Sequence, residues 1–132
     1  MDKKVVAVIG ASSDRMKFGN KALRAYRAEG HTVIPINPHE SQVEGVRAYR
    51  SVLDVPGPID VATVYVQPDV ALRLLPEFEQ KKIGEIWINP HRFTGDCAQT
   101  ILAACIRNAT PIHIARDGDR LALGALHATA FV

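Results

Sequence analysis

This sequence is short of cysteine, of aromatic side chains and of any surplus of charge, and each shortage removes a class of function. Two cysteines in 132 residues cannot build a disulfide framework. Cys97 and Cys105 stand on one predicted helix with about 12 Å of rise between them, at roughly 1.5 Å per residue, too far to bridge within that helix. Both are expected to be reduced core thiols. Sixteen basic residues against fourteen acidic ones leave a net charge of +2, scattered along the chain, with aromatics at only 6%. That distribution offers no basic stripe with interleaved rings for nucleic acid. No apolar run has the length of a membrane span, and Met1-Asp2-Lys3-Lys4 leads straight into a short strand instead of a signal-peptide core. A cytoplasmic protein that binds neither nucleic acid nor membrane is expected.

What is present is a core-forming composition, 47% hydrophobic and 23% charged, and a clear alternation of strand and helix patterns. Continuous apolar runs rich in Val and Ile occur at Val5 to Ile9, Thr32 to Ile36, Val61 to Val66, Glu85 to Ile88 and Pro111 to Ile114, as in a parallel sheet covered on both faces. Helical spacing fills the intervals. Phe18 to Glu29 groups Phe18, Ala22, Ala25 and Tyr26 and stops at Gly30; Pro68 to Lys82 groups Val70, Leu74, Leu75 and Phe78 and ends before Gly84. Pro76 should kink or split the second of these. Thr94 to Asn108 carries Cys97, Ile101, Leu102, Cys105 and Ile106 as its apolar stripe. Residues 37–58 form the longest irregular stretch, with room for one short helix around Ser51 to Val55. The βαβ rhythm predicts an α/β fold of three layers, a doubly wound parallel sheet forming a single domain over residues 1–132.

In such a sheet ligands lie outside the carboxyl ends of the strands. Those ends are Gly10-Ala11-Ser12, Asn37-Pro38, Gln67-Pro68 and Asn89-Pro90. The first is a small-residue turn between a buried strand and a helix, where free backbone N–H groups and a helix dipole favour phosphate. The other three pair an amide side chain with proline, which turns the chain sharply and should leave the amide at the rim. Asn and Pro also end strands for purely structural reasons, so it is their convergence on one edge that suggests a shared ligand. The dinucleotide fingerprint is incomplete: Ser12 and Arg15 stand where further glycines would, and Asn37 where an acid would hold a ribose, which disfavours NAD. The cations Arg15, Lys17, Lys21, His39, Arg47 and Arg50 near the first two strand ends suit a ligand with more phosphate.

Gly10-Ala11-Ser12-Ser13, Lys17-Phe18-Gly19, Gly30-His31-Thr32-Val33-Ile34-Pro35-Ile36-Asn37-Pro38, Gly45-Val46-Arg47-Ala48-Tyr49, Val66-Gln67-Pro68 and Trp87-Ile88-Asn89-Pro90 resemble, in order and spacing, the stand-alone CoA-binding domain proteins. The resemblance runs over roughly residues 4 to 115. It implies a Rossmann-like fold, related to the CoA-binding domain of succinyl-CoA synthetases, that holds coenzyme A or an acyl-CoA non-covalently. By that resemblance Gly10, Ala11, Ser12 and Ser13 would meet the pyrophosphate and Lys17 would lie over phosphate. Asn37 and Pro38 would flank the adenosine, with Arg47 among the cations for its phosphate, and Val66, Gln67, Pro68, Asn89 and Pro90 would line the remaining groove.

Catalytic and metal-binding readings are weaker. His91, beside Arg92 and Asp96, could be a general base, but no nucleophile with an orienting partner accompanies it, and a turn or ligand-contact role is preferred. Ser12 and Ser13 read as donors at a turn, not nucleophiles. His113, Asp117 and Asp119 read as strand and turn residues, so no metal is expected. Trp87 reads as core, and His31 and His127 as packing or surface residues. The apolar tail from Leu121 to Val132 would either pack on the sheet edge or bury itself in a second copy, giving a homodimer. A binding protein without chemistry of its own is the leading expectation. An NAD(P)-linked or other nucleotide-binding oxidoreductase or regulator, and a CoA-ligase subunit that depends on a partner, are the alternatives.

Overall fold

The structure, a computed structural model, describes residues 3–88 and 112–114. The third predicted helix, the tail, Cys97, Cys105, Asn89, Pro90, His91, Arg92, Asp96, Asp117, Asp119 and His127 lie outside the described residues.

Strands β1 (Val5–Ile9), β2 (Thr32–Ile36), β5 (Val61–Val64), β6 (Glu85–Ile88) and β7 (Ile112–Ile114) form one parallel sheet in the order β2-β1-β5-β6-β7. Between them come helix α1 (Phe18–Ala28), a two-stranded hairpin β3 (Gln42–Val43) and β4 (Val46–Arg47), a single 3₁₀ turn at Val52–Asp54, and helix α2 (Pro68–Lys81). The order reverses between β1 and β5, because the chain runs outward from β1 to β2 and then crosses back. That is where a doubly wound sheet opens its crevice.

Period-two alternation sends the strand side chains to two cores. Val6, Val8, Val33, Val61 and Trp87 pack against Ala22, Leu23 and Tyr26 of α1; Ala7, Ile9, Ile36, Ala62, Val64, Ile86 and Ile88 pack against Ala71, Leu75 and Phe78 of α2. The helices therefore cover opposite faces, and Trp87 is core, 1% exposed. Pro35 sits within β2 without cost because β2 is the edge strand: its carbonyl accepts from Tyr49 N–H on the outer side, so its missing donor faces away from β1. His31 is a packing residue, its Nδ1 accepting from the Lys4 N–H at 3.1 Å.

Three expectations need correction. Phe18 is 48% exposed and Ala25 only half-buried; Gly19, Ala22, Leu23 and Tyr26 form the buried side of α1. Val70 and Leu74 are also half-buried, and Ala71 takes their place in the core. Pro76 does not split α2, which is a single run of 14 residues. Pro76 is exposed, so the Leu72 carbonyl it cannot serve is on the solvent side, while Leu75 and Phe78 anchor the helix beyond it. As expected, α2 closes before Gly84, its C-cap Lys82 taking the left-handed conformation at φ 58°. None of the described helices is long and apolar enough to cross a membrane.

Candidate functional site

A cleft of about 740 Å3 opens at the carboxyl ends of β2, β1 and β5. Its size lies within the range of roughly 300–1,000 Å3 usual for small-molecule sites. Its floor is the turn after β1. Gly10 has φ +88°, and a Cβ added there would stand 2.9 Å from Val66 Cγ1 and 3.1 Å from the Tyr65 carbonyl, so only glycine lets the two strand ends come together. The Gly10 N–H donates to the Ile36 carbonyl at 3.0 Å and the Tyr65 N–H to the Ile9 carbonyl at 2.8 Å, continuing the sheet's hydrogen bonding into the floor.

Helix α1 starts hard against that turn. A Cβ on Gly19 would lie 2.5 Å from the Gly10 carbonyl oxygen, so Gly19 performs the close helix-to-turn packing that a dinucleotide fingerprint assigns to its third glycine. The four residues between Ser13 and Phe18 hide this role from a search at standard spacing. Asn20, fully buried, donates from Nδ2 to the Ser12 carbonyl at 2.8 Å and to Glu44 Oε2 at 3.1 Å, and accepts from Arg24 Nε at 2.7 Å. Arg15 Nε lies 3.6 Å from Glu44 Oε2, and Arg27 donates to the Glu44 carbonyl. The Asn20 hydrogen bond, aided by the charges of Arg15, Arg24 and Arg27, holds the Glu44 carboxyl below its ordinary value of 4.5.

Of the residues singled out from sequence, Gly10, Ser12, Lys17, Asn37, Pro38, Val66 and Gln67 line the cleft, as do His39 and Arg50. Ala11 is buried beneath it and contributes its carbonyl, which accepts from Asn37 Nδ2 at 2.7 Å. The Asn37 amide is therefore not left at the rim for a ligand. It bridges two loops, its Oδ1 also accepting from the His39 N–H at 2.7 Å. Ser13 is not among the lining residues; beside Ser12 at the turn, its N–H and hydroxyl both donate to Glu40. Arg47 lies on the hairpin, its guanidinium 4.9 Å from the centre of the Tyr49 ring, and is not among the lining residues. Lys21 likewise stays over the Phe18 ring, at 5.5 Å. Pro68 opens α2 as its first residue. Asn89 and Pro90 lie outside the described residues.

Apart from Val66, the apolar wall of the cleft carries no signal of its own in the sequence. Ile9, Phe18, Ile36, Tyr65, Val70 and Leu74 also line the cleft. Helical spacing marks Phe18, Val70 and Leu74 as apolar but not as facing a groove instead of the core. Glu40, Asn20 and Glu44 act through partners distant in sequence, and no local pattern announces them.

Comparison with known proteins follows this geometry. The family model described as CoA binding domain matches residues 4–120. The α subunit of ADP-forming acetate–CoA ligase II of Pyrococcus furiosus is 37% identical over 84 residues, 63% of this chain and 18% of that subunit. The ADP-forming 4-hydroxybutyrate–CoA ligase of Nitrosopumilus maritimus is 36% identical over 92 residues, 67% of this chain and 13% of that protein. The chain thus spans less than a fifth of the length of these relatives. Among solved structures, a Thermus thermophilus protein superposes with a TM-score of 0.78 at 26% identity, covering 86% of this chain and 84% of that one. With a match that takes in most of its length, the chain belongs to the CoA-binding domain family.

Proposed function

We propose that this chain is a CoA-binding domain that holds coenzyme A, free or acylated, in the cleft between the ends of β2, β1 and β5. The observation that carries the reading is the chemistry of the lining. Lys17 and Arg50 supply positive charge, His39 a ring that can hydrogen-bond, the turn from Gly10 to Ser12 a close-approach backbone, and Phe18, Val66, Val70 and Leu74 an apolar wall. A ligand matched to this lining is anionic at one part and long and uncharged at another, as a nucleotide joined to a pantetheine arm is. Ser12, at the turn, keeps a hydroxyl hydrogen free to donate while its oxygen accepts from the Asp14 N–H. The basic side chains assigned to phosphate are those of the lining, Lys17, His39 and Arg50, in place of Arg47 and Lys21, which are held over aromatic rings.

Titration calorimetry with CoA, dephospho-CoA and NAD tests this. CoA should bind more tightly than NAD. Removing the 3′-phosphate should weaken binding by about 1.5–3 kcal/mol if a cation of the lining contacts it, and Arg50→Ala should erase much of that difference. Tighter binding of NAD than of CoA would overturn the reading. A second reading, a subunit whose partner supplies the catalytic groups, draws support from the similarity to a ligase α subunit.

A further inference from the structure

One anion already sits on the β1–α1 turn, and it belongs to the protein. Glu40 follows β2, and its carboxylate accepts from the Ser13 backbone N–H at 2.9 Å, from the Ser13 hydroxyl, and from Asn37 Nδ2 at 3.4 Å. A backbone N–H, a hydroxyl and an amide converging on one carboxylate are the kind of donors that such turns present to phosphate oxygens. Ser13 directly follows Ser12, and His39 directly precedes Glu40; Ser12, His39 and Asn37 all line the cleft. Glu40 itself is half-buried, so its charge is only partly screened by water.

We propose that Glu40 is a built-in competitor for the phosphate of the ligand and thereby sets how anionic a ligand the turn accepts. This inference rests on the CoA reading of the cleft. A ligand phosphate arriving at the turn either displaces the carboxylate from Ser13 and Asn37, losing those hydrogen bonds, or remains beside a like charge. In both cases the carboxylate opposes phosphate and is indifferent to the uncharged parts of the ligand. A simple brace between the loops would act with the opposite sign, since its removal would loosen the cleft for every ligand alike.

The test titrates the wild type, Glu40→Gln and Glu40→Ala with CoA, inorganic pyrophosphate and adenosine, the last carrying no phosphate. Glu40→Gln keeps the shape of the side chain and guards against a variant that fails to fold. Glu40→Ala should bind CoA and pyrophosphate about tenfold more tightly, the equivalent of one charge-assisted hydrogen bond, with a smaller gain for Glu40→Gln and no change for adenosine. Unchanged or weaker CoA binding by both variants, alongside normal CoA binding by the wild type, overturns the competitor and leaves the CoA site standing. An equal gain for adenosine overturns it as well. If no form binds CoA while pyrophosphate still gains on removal of Glu40, the CoA reading falls and the competitor remains.

Discussion

Two glycines decide whether the cleft has a floor, and they do so by different physics. At Gly10 the backbone has φ +88° and the neighbouring strand end stands 2.9 Å from the place of a side chain, so alanine there meets both conformational strain and contact with Val66. At Gly19 the backbone is helical, and replacing a helical glycine with alanine ordinarily stabilises by about 0.5–1 kcal/mol. Here the new methyl would lie 2.5 Å from the Gly10 carbonyl oxygen, a backbone atom that cannot move aside alone. Gly19→Ala should therefore destabilise the protein and weaken CoA binding together, by about 1–3 kcal/mol for an overpacked site. Denaturant unfolding with calorimetry reads both, and a variant more stable than the wild type with unchanged affinity would show that α1 does not need its close start. Gly10 was legible in the sequence because it follows directly on a buried strand. The role of Gly19 was not, since it depends on how far α1 approaches a turn eight residues or more upstream.

At the scale of elements, the hairpin β3–β4 works as a strut for α1 and its turn. Its two loop residues, Glu44 and Gly45, have φ 50° and 77°, the left-handed pair that a tight two-residue hairpin requires. Glutamate is an unusual choice for such a position, and the sequence carries no Asn-Gly or Asp-Gly signal there. Its carboxylate explains it, being held by Asn20 and by the Arg15, Arg24 and Arg27 charges. Because the folded state lowers its pKa, Glu44 stabilises the protein above its ordinary value of 4.5, and that contribution is lost as pH falls through the lowered value. The wild type should consequently melt at a higher temperature than Glu44→Gln at neutral pH, with the gap closing on acidification below 4.5. Thermal melts across that range check it, and a gap independent of pH would mean that the carboxylate charge is idle. The sheet strands themselves were well marked by their apolar runs, because strands covered on both faces need no polar alternation. The run Val61 to Val66 overshot, since β5 closes at Val64 and Tyr65 and Val66 line the cleft, and an apolar run looks the same on either side of that point.

For the whole molecule, the strand order places the site at the reversal between β1 and β5, and that general location followed from the βαβ rhythm alone. Which side chains would face it did not, because the cleft borrows residues from one helix start and one helix flank whose spacing also suits a core. The floor has a further property. Its Gly10 N–H is bonded to β2 and the Tyr65 N–H beside it to β1, so these amides are rungs of the central ladder, next to Ile9 at 1% exposure. Amides of that kind exchange hydrogen with solvent only when the sheet comes apart as a unit. Hydrogen exchange at Gly10 and Tyr65 should accordingly be as slow as at Val8 in mid-strand, and bound CoA should slow all three equally, by global stabilisation. Fast exchange at Gly10 against slow exchange at Val8 would contradict this. The floor of the cleft and the centre of the fold then melt in a single event, and any population of molecules able to bind is a population still fully folded.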